Sequence, residues 1–365
     1  MQAVRLELKD FRNYAQQALD FGEGVNILYG DNAQGKTNIL EAVYLFSMGK
    51  ANRARRDAEL IRHGQEKAEL ALTFLDKERE SRGEITLFAN RRKVITVNEV
   101  PVRKNSELVG RFRVVYFGPE YLGLVKEGPK QRRKNTDILI SQLRPRYFFA
   151  LGDVKKLIES KNALLKMDRP NQAMLEILNE KLAAVSVELI ACRAQYLEKI
   201  GTIAADIQKE ISGGSETLTV KYQSCIGDVQ GLSREELKER LDKRLLEVWQ
   251  RELDMRESVV GPHREDIGYY INDREAKAFA SQGQQKTIVL VQKLAEVALM
   301  REETGELPVL LLDDIMSELD KKRQGFILNH IRDMQILITC TDVDGFHLDG
   351  DARLFRVENG TVTAE

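Results

Sequence analysis

The chain has 365 residues, of which 42% are hydrophobic and 31% are charged. This is enough apolar material for a sizeable core and too much for an intrinsically disordered protein. With 56 Lys and Arg residues against 57 Asp and Glu residues, the net charge is −1, which excludes nucleic-acid binding by bulk charge and leaves only local basic surfaces. The 3 cysteines lie far apart, which excludes a disulfide scaffold and argues against a zinc site. Because the N-terminus lacks a signal-peptide pattern and no apolar run is long enough for a membrane span, we expect a soluble, cytoplasmic protein.

Short strands and one helix are predicted in the first part of the chain. Apolar residues alternate over 4–8, and the apolar run 25–29 precedes a glycine-bearing loop and a helical pattern. Further runs typical of strands lie at 69–74, 84–88, 94–97 and 114–117, with a hairpin tip at 90–92.

The pattern becomes helical from about residue 148. Apolar residues spaced by three or four predict an antiparallel hairpin of helices, the second one long and ending at Gly213. A strand at 218–222 and a helix with a capping-box start at Ser233 follow. Apolar runs at 309–312, 336–339 and 354–357 are typical of strands covered on both faces. We therefore predict an α/β body made from residues 1–147 and 259–365, with a helical, arm-like lobe inserted at 148–258.

A phosphate-binding loop is predicted directly after the strand at 25–29. The motif G-x-x-x-x-G-K-[ST] is matched at every fixed position by Gly30, Asp31, Asn32, Ala33, Gln34, Gly35, Lys36 and Thr37. Glycines let the backbone turn its N–H groups towards phosphate, and the following helix adds positive potential. We expect Lys36 to reach the β- and γ-phosphates of ATP and the Thr37 hydroxyl to bind Mg²⁺.

Two carboxylates follow the apolar run 309–312. We expect Asp313 to lie on the Mg²⁺ side and Asp314 to polarise the attacking water, which with Lys36 makes three candidate catalytic residues. Two adjacent carboxylates also occur at ordinary strand ends, so this assignment depends on the phosphate loop.

A second anion-binding helix start is predicted at 281–285. Ser281 and Gly283 stand immediately before and within the first turn of a strong helical pattern. One nucleotide cannot easily use two such helix starts in one subunit, whereas two subunits facing head to tail can. This combination resembles the ABC-type ATPases, in which the signature helix of one protomer closes over the nucleotide of the other, and 317–320 resembles their D-loop. The resemblance implies that Ser281, Gly283 and Gln284 contact nucleotide.

The resemblance narrows when the motifs are taken together. The segments 11–14, 119–122, 128–133, 261–266, 281–285 and 313–320 resemble those of the RecF family, bacterial recombination mediators related to SMC heads. The resemblance implies an ABC-type P-loop ATPase head with an arm lobe, an ATP-dependent homodimer, and Arg12 as a further nucleotide contact. It also implies binding to duplex and gapped DNA, weak DNA-stimulated ATP hydrolysis, and partnership with RecR and RecO in loading RecA.

Some residues depart from the ABC pattern. Asp314 stands where most ABC ATPases have Glu, so we expect slow hydrolysis, since the shorter side chain reaches the water less directly. Thr341 or Asp342 occupies the position of the usual switch histidine, and Glu120 lies near the glutamine-loop position.

Binding to duplex DNA must come from basic clusters, because the net charge is −1. The candidates are Arg53, Arg55 and Arg56, then Arg91, Arg92 and Lys93, and finally Lys130, Arg132, Arg133 and Lys134. Each cluster has the alternative of a solvated face, and Arg132 and Arg133 have the further alternative of supporting the nucleotide site. For His263 we expect a structural role beside the nucleotide site.

Three other classes of protein are compared with a RecF-like ATPase. A long-coiled-coil chromosome ATPase is excluded because the interval between Lys36 and Ser281 is too short. A nucleotide-binding subunit of a membrane transporter and an ATP-gated interaction module without turnover remain alternatives.

Overall fold

The chain folds into two compact units. The computed structural model describes residues 1–77, 79–331, 333–343 and 352–365. Unit 1 comprises Met1–Gly123 and Val289–Glu365, and unit 2 comprises Leu124–Ile288. Within the described residues, no helix is both long and apolar enough to cross a membrane.

An antiparallel sheet forms one layer of unit 1. Its strands are β1 (Gln2–Phe11), β2 (Tyr14–Asp20), β4 (Lys67–Leu75), β5 (Glu80–Phe88), β6 (Val94–Val97) and β7 (Val100–Pro101), in the order β2-β1-β4-β5-β6-β7. Leu6 of β1 is paired with Leu72 of β4 on the buried face. On the other face Arg82 donates to Glu7 at 2.6 Å. The alternation therefore gives β1, β4 and β5 one mainly apolar and one mainly polar face.

A mainly parallel sheet forms the second layer of unit 1. Its strands are β3 (Val25–Tyr29), β8 (Val114–Phe117), β12 (Val309–Asp313), β13 (Ile336–Cys340), β14 (Arg353–Glu358) and β15 (Thr361–Ala364), in the order β15-β14-β3-β13-β12-β8. All neighbours are parallel except β14 and β15. Every residue of β8, β12 and β13 is buried, which explains their predominantly apolar sequences.

Parallel strands bring their carboxyl ends to one edge of this sheet, and unit 1 also contains helices. β3 ends at Tyr29, β12 at Asp313 and β13 at Cys340. The helices are α1 (Lys36–Met48), α9 (Lys321–His330) and the continuation of α8 (Gln282–Thr304), which begins in unit 2. The edge that carries the phosphate loop is therefore the edge that carries Asp313.

Unit 2 is mainly helical. Its elements are α2 (Pro129–Leu143), α3 (Pro145–Leu165), α4 (Gln172–Ile211), α5 (Arg234–Glu247), α6 (Trp249–Met255) and α7 (Ala276–Phe279), with strands β9 (Leu218–Gln223), β10 (Asp266–Ile271) and β11 (Arg274–Glu275). The predicted hairpin of helices corresponds to α3 and α4, and α4 has 40 residues. The predicted capping box at Ser233 is confirmed, because Ser233 and Glu236 satisfy each other's backbone N–H groups. Leu237, Leu241 and Leu245 of α5 pack on α4 to form a core cluster.

The boundaries of unit 2 differ from those predicted for the arm. Unit 2 spans Leu124–Ile288 rather than 148–258. The reason is that α2, which the sequence analysis did not predict, packs against α3, α4 and β10. Arg132 of α2 binds both carboxylate oxygens of Asp266 at 2.7 and 2.8 Å, which ties this helix to the sheet of unit 2.

A buried ionic network also holds the segment 261–266 in unit 2. Arg193 of α4 is only 2% exposed. It donates to Asp137 at 2.8 Å, to Glu265 at 2.7 Å and to the carbonyl oxygen of Pro262 at 2.7 Å. Ser224 donates to the other oxygen of Glu265 at 2.8 Å. The charges are thus paired and hydrogen-bonded, as burial requires.

Candidate nucleotide-binding site

The loop at 30–37 has a backbone that its glycines make possible. Gly30 and Gly35 have φ of 144° and 117°, values that residues with a Cβ atom rarely adopt. A Cβ on Gly30 would lie 2.3 Å from the carbonyl oxygen of Val357, and one on Gly35 would lie 2.8 Å from the Tyr14 hydroxyl. Helix α1 starts directly after Gly35. The N–H groups of the loop therefore lie next to those of a helix N-terminus.

The turn between β1 and β2 supports this loop. Asn13 donates to the carbonyl oxygen of Gln34 at 2.7 Å, and the Tyr14 hydroxyl donates to that of Gly35 at 3.0 Å. The N–H of Asn359 donates to the Gln34 side chain at 2.6 Å. The segment 11–14, which the sequence analysis singled out, therefore shapes the phosphate loop.

Lys36 lies across the loop that precedes it. Its Nζ donates to the carbonyl oxygens of Gly30 at 2.5 Å and Asp31 at 2.8 Å. The side chain is 7% exposed, so the charge is held over the loop rather than in bulk water. Asp31, Asn32 and Ala33 are exposed at the tip of the loop, and this leaves their backbone accessible to a ligand.

Asp313 lies opposite the loop and is fixed by hydroxyl groups. Its Oδ1 accepts from Thr37 at 2.7 Å and from Thr339 at 2.8 Å, and its Oδ2 accepts from Tyr116 at 2.7 Å. The carboxylate is 3% exposed. Thr37 and Asp313, which the sequence analysis predicted to lie at a Mg²⁺ ion, are thus in direct contact.

The residues present fit a magnesium nucleotide. The Thr37 hydroxyl and the Asp313 carboxylate are hard oxygen donors 2.7 Å apart, and oxygen is the ligand that Mg²⁺ prefers. Among the described residues, no three His, Cys, Asp or Glu side chains form a metal-holding group. A bound ion would therefore take its other oxygens from phosphate and water, as Mg²⁺ usually does.

Asp314 lies beside Asp313 in a strained conformation. Its φ is 52°, in the left-handed region that non-glycine residues seldom adopt. Its N–H donates to the Thr339 hydroxyl at 2.9 Å, which holds this backbone in place. Thr339 thus links Asp313 and Asp314 to strand β13.

Two arginines lie near this edge. Arg12 donates to Glu41 at 2.9 Å and to the carbonyl oxygen of Glu59 at 2.9 Å. Nη1 of Arg53 is 3.7 Å from Oδ2 of Asp313. Arg53, which the sequence analysis assigned to DNA binding, therefore lies at the candidate nucleotide site.

Glu120, which the sequence analysis placed near the glutamine-loop position, lies beside Asn52, the chain neighbour of Arg53. Glu120, in the short helical turn Pro119–Tyr121, accepts from Asn52 at 2.9 Å. Lys293 of α8 lies over the Tyr121 ring at 3.9 Å, and its burial lowers its pKa.

The signature-like turn at 281–285 belongs to unit 2. Ser281 precedes α8, and its hydroxyl accepts from the Gln284 N–H at 3.2 Å. The Gln284 side-chain oxygen accepts from the Ser281 N–H at 2.8 Å. These two bonds form a capping box. Ser281 is exposed and Gly283 is half-buried, so the helix start is accessible.

The other predicted basic residues have different surroundings. Arg55, Arg56, Arg91 and Arg92 are exposed, and we call these four the basic surface. Lys93 binds Asp57 at 2.9 Å, which joins the 90–92 hairpin tip to the loop that carries Arg55 and Arg56.

The third basic cluster and His263 belong to unit 2. Arg132 is 3% exposed and paired as described, which removes it from the DNA-binding candidates. Arg133 donates to the carbonyl oxygen of Glu265. Nε2 of His263 lies 3.2 Å from the carbonyl oxygen of Ser258, and burial lowers the pKa of His263.

Sequence reasoning missed two residues of the site. Tyr116 and Thr339 both bind Asp313, and both stand in strands whose other residues are apolar. A polar residue in an otherwise apolar buried strand is the signal that could have found them, since buried hydroxyls need partners.

The two-layered unit 1, with its phosphate loop and facing carboxylate, defines an ATPase head of the ABC type. The model of the RecF/RecN/SMC N terminal domain family matches residues 3–362. The Smc head bound to the C-winged helix domain of ScpA has a TM-score of 0.57 at 16% identity, over 100% of this chain and 98% of that chain. At this identity the likeness shows the fold alone.

Other relatives are more similar. A DNA replication and repair protein RecF of Clostridium acetobutylicum is 39% identical over 365 residues, 99% of each chain, and that of Clostridium perfringens is 37% identical over 359 residues, 98% of each chain. The recombination mediator protein RecF of the RecFOR pathway, solved as RecF-ATPrS, has a TM-score of 0.93 at 37% identity, over 100% of this chain and 98% of that chain. The chain belongs to the RecF family of DNA replication and repair proteins.

Proposed function

We propose that this chain is an ATP-dependent DNA-binding repair protein whose two copies dimerise on ATP. It binds duplex DNA at single-strand gaps and helps to load RecA together with RecO and RecR in the cytoplasm. The observation that carries the proposal is the contact between Thr37 and Asp313, at 2.7 Å across 276 residues of sequence. It unites the phosphate loop with a metal-side carboxylate. Similar proteins solved as RecF-ATPrS and RecF-ATP, in the RecFOR pathway, support the nucleotide and the pathway.

Binding and hydrolysis have separate residues. The loop N–H groups and Lys36 bind the phosphates, while Thr37 and Asp313 hold Mg²⁺, which neutralises charge on the phosphate oxygens. Asp314 orients the attacking water. The Asp314 side chain is one methylene shorter than that of Glu. Its carboxylate therefore reaches the water less directly, and hydrolysis is slow. Positioning and electrostatics carry this reaction.

A second copy completes the site in this proposal. The accessible helix start at Ser281 offers backbone N–H groups and a hydroxyl, the groups that bind phosphate at helix N-termini. Ser281, Gly283 and Gln284 contact the nucleotide bound by the other copy. ATP then joins the two copies, and its hydrolysis times their release.

The basic surface binds DNA. Its arginines come from two segments that the pair Lys93–Asp57 holds together, so several phosphates can be contacted at once. Such contacts read the backbone rather than the bases. DNA that reaches this surface lies near the loop that carries Arg53 to Asp313, which supports a weak stimulation of hydrolysis by DNA.

Two substitutions test the proposal. Lys36→Met removes the cation that contacts phosphate, so ATP affinity should fall at least tenfold, by an estimate of about 1.5–3 kcal/mol for a hydrogen bond to a charged group. Ser281→Arg fills the helix start, so the chain should bind ATP as the unmodified protein does but should not dimerise. Sedimentation with and without ATP and gapped duplex measures the loss of binding in Lys36→Met and the loss of dimerisation in Ser281→Arg.

The controls separate the parts of the proposal. Substituting Lys155 and Lys156, exposed cations of α3, by Ala should leave dimerisation and gapped-duplex binding unchanged. Full ATP-dependent dimerisation of Ser281→Arg would contradict the shared site. Equal affinity for gapped and intact duplex would contradict the gap preference alone.

A further inference from the structure

A carboxylate outside the predicted site contacts the signature-like turn. Glu216 lies in the turn between α4 and β9, and its Oε1 accepts from the side-chain nitrogen of Gln284 at 2.8 Å. Its Oε2 accepts from the side-chain nitrogen of Gln208 at 2.6 Å. The three side chains form a chain of hydrogen bonds from the end of α4 to the start of α8.

The geometry points to Glu216 as a positioning residue that orients Gln284, and through Gln284 the Ser281 turn, for contact with the nucleotide of a second copy. This inference rests on the proposed function, because it concerns the composite site. It assigns to the inserted unit a direct part in forming that site.

Both ends of the Gln284 amide are hydrogen-bonded. Its oxygen accepts from the Ser281 N–H at 2.8 Å, and its nitrogen donates to Glu216. A carboxylate can only accept hydrogen bonds. If the amide rotated by half a turn, it would place an acceptor against Glu216 and a donor against the Ser281 N–H. Glu216 therefore permits one orientation, the one that closes the capping box.

Glu216 is itself held in place. Gln208 is fully buried, so its side chain stays at the last turns of α4, where only its terminal amide can turn over. The N–H of Glu216 donates to the Ser212 hydroxyl at 3.2 Å, and the N–H of Thr217 donates to Asn272 at 2.8 Å. The turn is thus anchored to α4 on one side and to the end of β10 on the other, and Glu216 presents its carboxylate at a defined place.

The consequence is preorganisation of a helix start. Donors that are already aligned when phosphate arrives lose less entropy on binding than donors that must be ordered. Without Glu216 the Gln284 side chain can adopt other rotamers, and the Ser281 N–H loses its partner part of the time. Two copies would then associate more weakly around ATP, while the phosphate loop, which lies in the other unit, would bind ATP as before.

Glu216→Ala and Glu216→Gln separate orientation from charge. The amide introduced by Glu216→Gln can still accept from Gln284. Gln208 can rotate to meet its nitrogen, because the Gln208 amide oxygen has no hydrogen-bond partner among the residues described. Asp206→Ala, which removes an exposed carboxylate from the same end of α4, serves as the matched control for charge.

The measurement is the dimerisation constant with ATP, from sedimentation, beside the ATP affinity of the monomer. A symmetric dimer contains the turn twice, so a loss of about threefold per site should raise the dimer dissociation constant of Glu216→Ala about tenfold. ATP affinity of the monomer should stay the same. Glu216→Gln and Asp206→Ala should stay within about twofold of the unmodified chain, since neither removes the acceptor for Gln284.

A double-mutant cycle with Gln284→Ala tests the route. If Glu216 acts through Gln284, adding Glu216→Ala to Gln284→Ala should cause no further weakening. Additive effects, unaltered dimerisation of Glu216→Ala, or equal weakening by Glu216→Gln would each overturn the inference. Failure of the unmodified chain to dimerise with ATP would overturn the proposed function as well, so the two failures are distinguishable. Thermal unfolding of each variant checks that the fold is retained.

Discussion

Tyr116→Phe should weaken the coupling between nucleotide and magnesium. The change removes the only donor within 3 Å that Oδ2 of Asp313 has among the described residues, at 2.7 Å, and leaves Arg53 at 3.7 Å. The carboxylate is 3% exposed, so water replaces the lost bond poorly. A hydrogen bond to a charged group contributes about 1.5–3 kcal/mol, and Arg53 can recover part of this, so we expect a loss near the lower value. Partners that orient a metal ligand typically change metal affinity about tenfold or more.

The assay is binding of a fluorescent ATP analogue titrated with Mg²⁺. The Mg²⁺ concentration at half-saturation should rise about tenfold in Tyr116→Phe, while binding in the presence of a chelator should not change. Tyr44→Phe is the matched control. The Tyr44 ring packs edge-on against Tyr116 at 5.7 Å, but its hydroxyl is not one of the donors to Asp313. Equal Mg²⁺ requirements for Tyr116→Phe and the unmodified chain would refute the reasoning.

Three further substitutions have definite expectations. Gly30→Ala should abolish ATP binding and lower the thermal unfolding temperature, because its Cβ would lie 2.3 Å from the Val357 carbonyl oxygen, whereas Gly24→Ala, with nothing within 4 Å, should do neither. Arg193→Met should destabilise unit 2 by about 3–5 kcal/mol in urea unfolding, since it leaves the buried Glu265 carboxylate without its cationic partner; a loss below about 1 kcal/mol would mean that the network is not the stabilising feature. Replacing Arg91 and Arg92 by Ala should weaken duplex binding and reduce the salt dependence by about one unit per lost phosphate contact, and an unchanged slope would place DNA elsewhere.

The sequence predicted the parts of the fold that depend on local pattern. The buried strands β8, β12 and β13 have predominantly apolar sequences, so their positions could be read directly. Helix α2 was missed because its first turns are basic and polar, and these residues were interpreted as a DNA-binding or nucleotide-site segment. Its buried face depends on pairing with Asp266, far along the chain, which no local pattern contains.

In the candidate site, too, the sequence predicted the residues that a local pattern identifies. The phosphate loop belongs to a motif with fixed spacing and Asp313 follows an apolar strand, and the structure brings the two into contact. Arg53 and Tyr116 reach Asp313 from segments with no motif of their own. Their assignment needed the order of strands in the sheet, which is a property of the whole of unit 1.

The order of strands also bears on how the protein is made. β3, which leads into the phosphate loop, has β13 and β14 as its two neighbours in the sheet, and both come after residue 335 in the chain. During synthesis the loop therefore leaves the ribosome long before either strand that flanks β3 exists. Contacts this distant in sequence form late. A nascent or truncated chain would carry the complete motif without the strands that flank β3, so we expect it to retain ATP less well than the 365-residue chain.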